Sequence, residues 1–201
     1  MGFIFTTIEK VCIKEMRVRM KNFIRNSRKT VFENNWYKIY LDDVTTNNKD
    51  RFPSYYVIDF SNESVATVIT NKKGEVLFVK ALRYILDDIS LEIPAGSVDF
   101  NESLIDAARR ECLEETGYTV LLKNEPYCYY PTNGVTNQKF NIFFGEVDES
   151  ESQKKFDTSE IATVEWLSIE QIKKKLLLNE IKDGLTLTAL LLFLFGIEEK
   201  K

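Results

Sequence analysis

Histidine is absent from this 201-residue chain. That absence removes the Ser-His-Asp and Cys-His nucleophilic schemes and any zinc site built on imidazole. Proton transfer, if the chain catalyses, must fall to carboxylates, lysine, tyrosine or cysteine. Cysteine is scarce too: Cys12, Cys112 and Cys128 are the only three. An odd number without regular spacing makes no disulfide framework, and a reducing, cytoplasmic setting fits better. Cys112 falls in an apolar helical stripe and is expected to be a small core residue.

A basic excess is missing as well. Lys and Arg number 27 against 31 Asp and Glu, a net charge of −4. A surface that coats nucleic acid carries the opposite balance, so no nucleic-acid partner is expected. An anionic small molecule is still admissible, because a bound metal ion inverts the local field. No apolar run is long enough to span a bilayer, and no membrane partner is expected. The longest run, "LTLTALLLFLFGI", reads as a buried helix. The N-terminus lacks the basic start and long apolar stretch of a signal peptide. It does carry the bare myristoylation pattern M-G-x-x-x-[ST] through Gly2 and Thr6.

What is present suits one domain with an accessory element. Hydrophobic residues make up 44% of the chain, enough for a core, and charged residues 29%. Residues 1–27 read as a Lys- and Arg-rich extension. From about Trp36 the pattern turns to strands: "WYKIYLDDV", "SYYVIDF" and "SVATVIT" set β-branched and aromatic residues between polar breaks. "NKKG", Asn71 to Gly74, is a turn signal that predicts a hairpin over residues 65–80. Asp99 and Glu102 have capping-box spacing at the start of a helix, and Gly117 stands where a left-handed cap is expected. "YTVLLK", "PYCYY", "KFNIFFGEV" and "IATVEWL" are strand-like, with a polar loop, "DESESQKKFDTSE", before the last. Ser168 and Gln171 form a second capping box, with Leu167 and Ile172 as its hydrophobic staple. That helix should run to about Asn179, and a final apolar helix from about Asp183 to Phe195. Strands and helices mix without regular βαβ alternation. The pattern predicts an α+β fold or an α/β/α sandwich on a mixed sheet, with strands already from about Trp36 in front of it. The expected divisions are 1–27, 28–60 and 61–201.

One stretch is electrostatically odd. "GSVDFNESLIDAARRECLEETGY", residues 96–118, holds six carboxylates and two arginines. Glu111, Glu114 and Glu115 share one sector of a helix and lie near its C-terminus, where the macrodipole disfavours negative charge. Local energetics oppose the arrangement, so something outside the helix should offset it. A hard divalent cation does so: Mg²⁺ takes oxygen ligands and is often shared with substrate phosphates. The competing explanation is a solvated acidic face. Arg110 is placed to reach Glu114, and Asp106 lies on the face away from the other acids.

The stretch resembles the Nudix box, G-x5-E-x7-R-E-U-x-E-E-x-G-U, where U is a bulky apolar residue. Gly96, Glu102, Arg110, Glu111, Glu114, Glu115 and Gly117 fill its seven invariant positions, and Cys112 and Tyr118 take softer apolar positions. Seven fixed residues would match a random window at about 10⁻⁹. The resemblance implies a pyrophosphohydrolase of nucleoside diphosphates linked to another group, on an α/β/α sandwich that binds Mg²⁺ or Mn²⁺. It implies Glu111, Glu114 and Glu115 as metal ligands, with the backbone carbonyl of Ala95. Glu102 and Arg110 would brace the loop–helix–loop.

The flanks are most similar to the ADP-ribose (ADP-sugar) pyrophosphatase branch. "LRYILDDISLEIPAG" places Arg83 and Glu92 where that branch has a phosphate-binding arginine and a glutamate. "YYPTNGVTNQ" resembles its proline-glycine loop, but Thr132 and Asn133 separate Pro131 from Gly134, and Gln138 replaces a frequent acid. The N-terminal β element implies a domain-exchanged homodimer with an aromatic, here Trp36, stacked on the base. The general base is expected from the late loop "FDTSEIATVEW", with Glu160 first and Asp157 second. Glu111 is the rival inside the helix. The substrate implied is a nucleoside diphosphate sugar. Alternatives are another nucleotide, such as a dinucleoside polyphosphate, NADH or a GDP-sugar, or a non-catalytic nucleotide-sugar sensor.

Overall fold

A computed structural model describes residues 22–123, 125–151 and 153–196. The myristoylation pattern at Gly2 and Thr6, and Cys12, lie outside these residues.

The N-terminal element is an antiparallel meander of β1 (Phe23–Glu33), β2 (Tyr37–Thr46) and β3 (Arg51–Phe60). β1 starts inside the stretch expected to be an extension, because Phe23 already pairs with Thr46. The β1–β2 turn is set by Asn34, whose side-chain oxygen accepts the N–H groups of Trp36 and Tyr37 at 2.9 and 2.8 Å. One face carries an aromatic row, Phe32, Tyr37 and Phe60, with centroids 5.8 and 5.7 Å apart. By strand alternation the other face carries Tyr40 and Asp42. There Arg28 lies 4.0 Å over the Tyr40 ring and donates two 2.7 Å hydrogen bonds to Asp42. β3 ties the meander to the loop after residue 131. Ile58 N–H donates to Val135 O at 2.9 Å, and the Tyr55 hydroxyl to Gly134 O at 2.8 Å.

The main sheet has eight strands: β4 (Ser64–Thr70), β5 (Val76–Arg83), β6 (Asp88–Glu92), β7 (Ala95–Ser97), β8 (Val120–Leu122), β9 (Tyr127–Tyr129), β10 (Phe140–Val147) and β11 (Ile161–Leu167). Its central order is β11-β5-β4-β10-β8, with β6 on β5, β7 on β4 and β9 on β10. β4 and β10 run parallel and the other pairs antiparallel, so the sheet is mixed. Helices α1 (Leu104–Thr116), α2 (Ile169–Leu177) and α3 (Gly184–Leu194) cover it.

β4 shows why the result is a sandwich. Val65 and Ile69 pack with Ala108 and Cys112 of α1, while Ala66 and Val68 pack with Ile172 of α2 and Leu190 of α3. Both faces of a central strand are therefore buried, which is the pattern of a sheet with helices on each side. Cys112 is fully buried, as its stripe predicts.

Several local expectations meet their geometry. Gly117 closes α1 in the left-handed region at φ 74°. The capping box of Ser168 and Gln171 forms, and Leu167 and Ile172 share one core cluster. Two expectations change. The Asn71–Gly74 turn forms, but β4 and β5 pair only at Thr70 and Val76. Farther along, β7 takes that edge of β4 and β6 takes that edge of β5. The cap of α1 is Ser103, whose Oγ accepts Asp106 N–H at 3.2 Å, and not Asp99. Asp99 and Glu102 still bond reciprocally at 3.1 Å, but in the turn before the helix.

Candidate active site

Arg110 is the hub of the acidic helix. Its Nε donates to Glu102 Oε1 at 2.9 Å and Nη2 to Glu102 Oε2 at 2.8 Å. Nη2 also reaches the Ser97 carbonyl at 2.9 Å, so one guanidinium joins α1, the preceding loop and the end of β7. Nη1 donates to Glu111 Oε1 at 2.9 Å and to Glu114 Oε2 at 3.1 Å. The hydrogen bonds from Arg110 hold Glu102 below the usual carboxylate range. In turn, chiefly its bond to Glu102 raises the guanidinium's own pKa.

Glu111 and Glu115 behave differently. Burial pushes Glu111 up, against the pull of Arg110. Burial pushes Glu115 further, up to about 8. Glu115 accepts one backbone hydrogen bond, from Ala95 N–H at 2.9 Å. Two carboxylates are thus desolvated on the side of α1 that faces β7, where negative charge is disfavoured unless a cation answers it.

The two box glycines are explained by close approach. A Cβ on Gly96 would stand 2.1 Å from the Glu111 carboxyl carbon, so only glycine lets β7 pass that near. A Cβ on Gly117 would stand 2.0 Å from the Lys154 carbonyl oxygen, in addition to the strain of its positive φ.

The donors suit a hard divalent ion. They are oxygens alone, two are desolvated, and Gly96 leaves the space in which Glu111 sits. Among the described residues, no three acidic or thiol side chains are already gathered as a ligand cluster. The reason is visible: Arg110 draws Glu111 and Glu114 to itself, and Glu115 turns to Ala95 N–H. A metal ion held by these carboxylates would compete with Arg110 and with Ala95 N–H for them.

Arg83 and Glu92 stand together. Arg83 Nε donates to Glu92 Oε1 at 2.8 Å, and a second, short bond joins Nη2 to Oε2. The hydrogen bond to Glu92 raises Arg83 first, and Glu115 and Asp183 add to it, so all four groups share one field. Arg83 and Glu92 line a cleft of ≈ 1130 Å³ whose other walls are the β5–β6 hairpin, Ser159 and Glu160, and Lys182 to Gly184. Glu160 is exposed in that wall, and its carbonyl accepts Leu82 N–H at 2.7 Å. Asp157 is used otherwise: its side chain closes a turn on Ser159 N–H at 2.8 Å. Trp36 is 72% exposed and does not line the cleft of its own chain. Glu111, Glu114 and Glu115 lie beyond the cleft's lining, and of the three Glu115 feels the charges of Arg83 and Glu92, which line it.

The site also includes parts that residue patterns do not single out. The Ser97 carbonyl anchors Arg110, and Asp183, the N-cap of α3, lies close enough to raise Arg83. Asp183 carries a sequence signal only as a helix cap. Nothing in the chain before it points to Arg83, because the two meet through the fold.

The chain resembles known proteins in sequence and in fold. The profile of the NUDIX domain matches residues 61–188. The ADP-ribose pyrophosphatase of Bacillus subtilis (strain 168) is 26% identical over 165 residues, covering 82% of this chain and 88% of that protein. The ADP-ribose pyrophosphatase of Saccharomyces cerevisiae is 34% identical over 95 residues, 45% of this chain and 41% of that protein. The crystal structure of an ADP compounds hydrolase superposes with a TM-score of 0.74, covering 89% of this chain and 96% of that one. At 16% identity that likeness speaks to the fold alone.

Proposed function

Because this chain belongs to the NUDIX family, we propose that it hydrolyses the diphosphate bridge of ADP-ribose or a related nucleoside diphosphate sugar. The products are a nucleoside monophosphate and a sugar phosphate. The observation that carries the reading is the Arg110-centred array of Glu102, Glu111 and Glu114, set beside a cleft lined by Arg83. The similarity to the Bacillus subtilis ADP-ribose pyrophosphatase over most of both chains supports the substrate class.

Each residue has a role in this reading. Glu111, Glu114, Glu115 and the Ala95 carbonyl would hold Mg²⁺, or Mn²⁺ in its place. When bound, such an ion neutralises phosphoryl oxygens and lowers the pKa of a coordinated water. Arg110 and Glu102 brace the helix so that the ligands keep their places. Arg83 contacts phosphate, since a guanidinium fork suits two oxygens at once. Its present partner, Glu92, holds the fork in the cleft. Glu160 takes the proton of the attacking water, a task that falls to a carboxylate in a chain without histidine.

The active unit in this reading is a homodimer. Among the described residues β1 is an edge strand that pairs with β2 alone, and its whole length is exposed, including Phe23, Ile24, Val31 and Phe32. An exposed edge strand with apolar residues at both of its ends offers a seat for a partner. A second copy would also bring Trp36 to the neighbouring cleft. A cytoplasmic setting fits the free thiols of Cys112 and Cys128. Among the described residues no helix is long and apolar enough to cross a membrane.

The test is direct. Incubation with ADP-ribose and Mg²⁺ should release AMP and ribose 5-phosphate, in preference to ADP-glucose, GDP-mannose, NADH and diadenosine polyphosphates. Faster turnover of one of the others would move the substrate, and tight binding without any cleavage would favour the sensor.

A further inference from the structure

The segment from Gln153 to Glu160 is tied down at both ends and in the middle. At one end it serves the C-terminus of α1. Gln153 Nε2 donates to Thr116 O at 2.8 Å, Lys154 N–H to Gly117 O at 2.7 Å, and Asp157 N–H to Glu114 O at 2.7 Å. These are carbonyls that a helix end leaves without intrahelical partners, and no basic side chain lies in the last turn of α1 to answer them. In the middle, the Phe156 side chain packs with Val79 and Ala81 of β5 and Ile161 and Val164 of β11. At the other end, Glu160 O takes Leu82 N–H at 2.7 Å. Gly117 admits the strap, since the Lys154 carbonyl stands where its Cβ would be.

The strap therefore joins the helix that carries Glu111, Glu114 and Glu115 to the cleft wall that carries Glu160. Of its three bonds to α1, two use backbone N–H groups that any residue would supply. Only the third depends on a side chain, that of Gln153, whose stem also lies against Gly117.

We propose that Gln153 is a positioning residue: its hydrogen bond to Thr116 sets the strap, and through it Glu160, at a fixed place relative to the acidic face of α1. The proposal rests on the reading of Glu160 as the general base. It predicts an effect on the chemical step, because the bond touches no substrate. A lost hydrogen bond of this part-buried kind corresponds to about a three- to tenfold lower kcat.

The experiment uses Gln153→Met, Gln153→Lys, Glu160→Gln and the double variant Gln153→Met with Glu160→Gln, on ADP-ribose with Mg²⁺. Gln153→Met, close in size but without a donor, should lower kcat about three- to tenfold with KM unchanged. Gln153→Lys should restore it, since a cation with donors is favoured at a helix C-terminus. In the Glu160→Gln background the Met substitution should cost nothing further. Wild-type kcat for Gln153→Met overturns the proposal, as does a loss that Lys does not restore or that adds fully to the loss from Glu160→Gln. Wild-type kcat for Glu160→Gln overturns the base assignment instead, and the Gln153 pair alone then shows whether the strap acts on another group.

Discussion

The Arg110 guanidinium grips the Glu102 carboxylate through two hydrogen bonds of 2.9 and 2.8 Å across a separation of eight residues. The pair locks the turn before α1 onto the helix itself, and the same guanidinium then holds Glu111, Glu114 and the Ser97 carbonyl. A planar fork with five donors can serve all four partners; an ammonium group cannot. Arg110→Lys keeps the charge and loses the fork. We expect at least about a tenfold loss of kcat and a fall in Tm of about 3–12 °C, for one charged hydrogen bond lost. Steady-state kinetics and thermal melts on the same preparation check both.

Gly96 and Glu111 cannot both keep their places if Gly96 gains a side chain, because the new Cβ would lie 2.1 Å from the carboxyl carbon. The backbone of Gly96 is held in the β7–β4 ladder through Val65, so the carboxylate yields first. Gly96→Ala should therefore lower kcat by about 10²-fold, the scale of a 1 Å misplacement, and weaken Mg²⁺ activation. Tm should change far less than activity. Metal-titration kinetics alongside melts would expose a purely structural defect, in which both fall together.

Glu115 gives a pH dependence with a definite sign. Its folded pKa is raised by burial to about 8, above the value of roughly 4.3 for an exposed glutamate. Between those values the folded state binds more protons than the unfolded state, so metal-free stability should fall as pH rises from about 4.5 to 8. A bound divalent ion removes the penalty. Melts in chelator should show Tm declining over that window, with Mg²⁺ restoring more at pH 8 than at pH 6. Glu115→Gln should flatten the decline and abolish Mg²⁺-dependent turnover. A variant that still turns over at the wild-type rate would sink Glu115 as a ligand.

How much of this was legible beforehand follows from which forces act locally. The periodicity of β4 and β10, the Gly117 cap and the Ser168–Gln171 box are short-range effects, and all appear where the residues imply them. The acidic cluster was legible as chemistry because helix spacing alone brings Glu111, Glu114 and Glu115 to one side. β6 and β7 were missed: one is five residues with acids at both ends and the other three residues, and each exists through its partner strand. The cap of α1 lies four residues beyond Asp99 because the Asp99–Glu102 bonds close a separate turn, while Ser103 caps the helix itself. The contacts of Gln153 with α1 span 37 positions and leave no pattern in the chain.

Trp36 tests the dimer and the site together. It is 72% exposed in its own chain and absent from that chain's cleft, so in the proposed dimer its role would be exercised on the second copy. Trp36→Ala should raise KM for ADP-ribose with a smaller change in kcat, as loss of a stacking surface does. Glu115→Gln should be inactive with Trp36 intact. When the two variants are unfolded, mixed and refolded together, half of the dimers should be mixed. Each mixed dimer has one site with both Glu115 and a partner's Trp36, and one with neither. Low-KM turnover should then return to about a quarter of the wild-type rate, given random pairing of two-fold dimers. A mixture whose low-KM activity stays at zero would show that Trp36 serves no partner site. A β1 substitution such as Phe32→Asp should abolish the recovery by separating the subunits, with sedimentation velocity reporting the monomer.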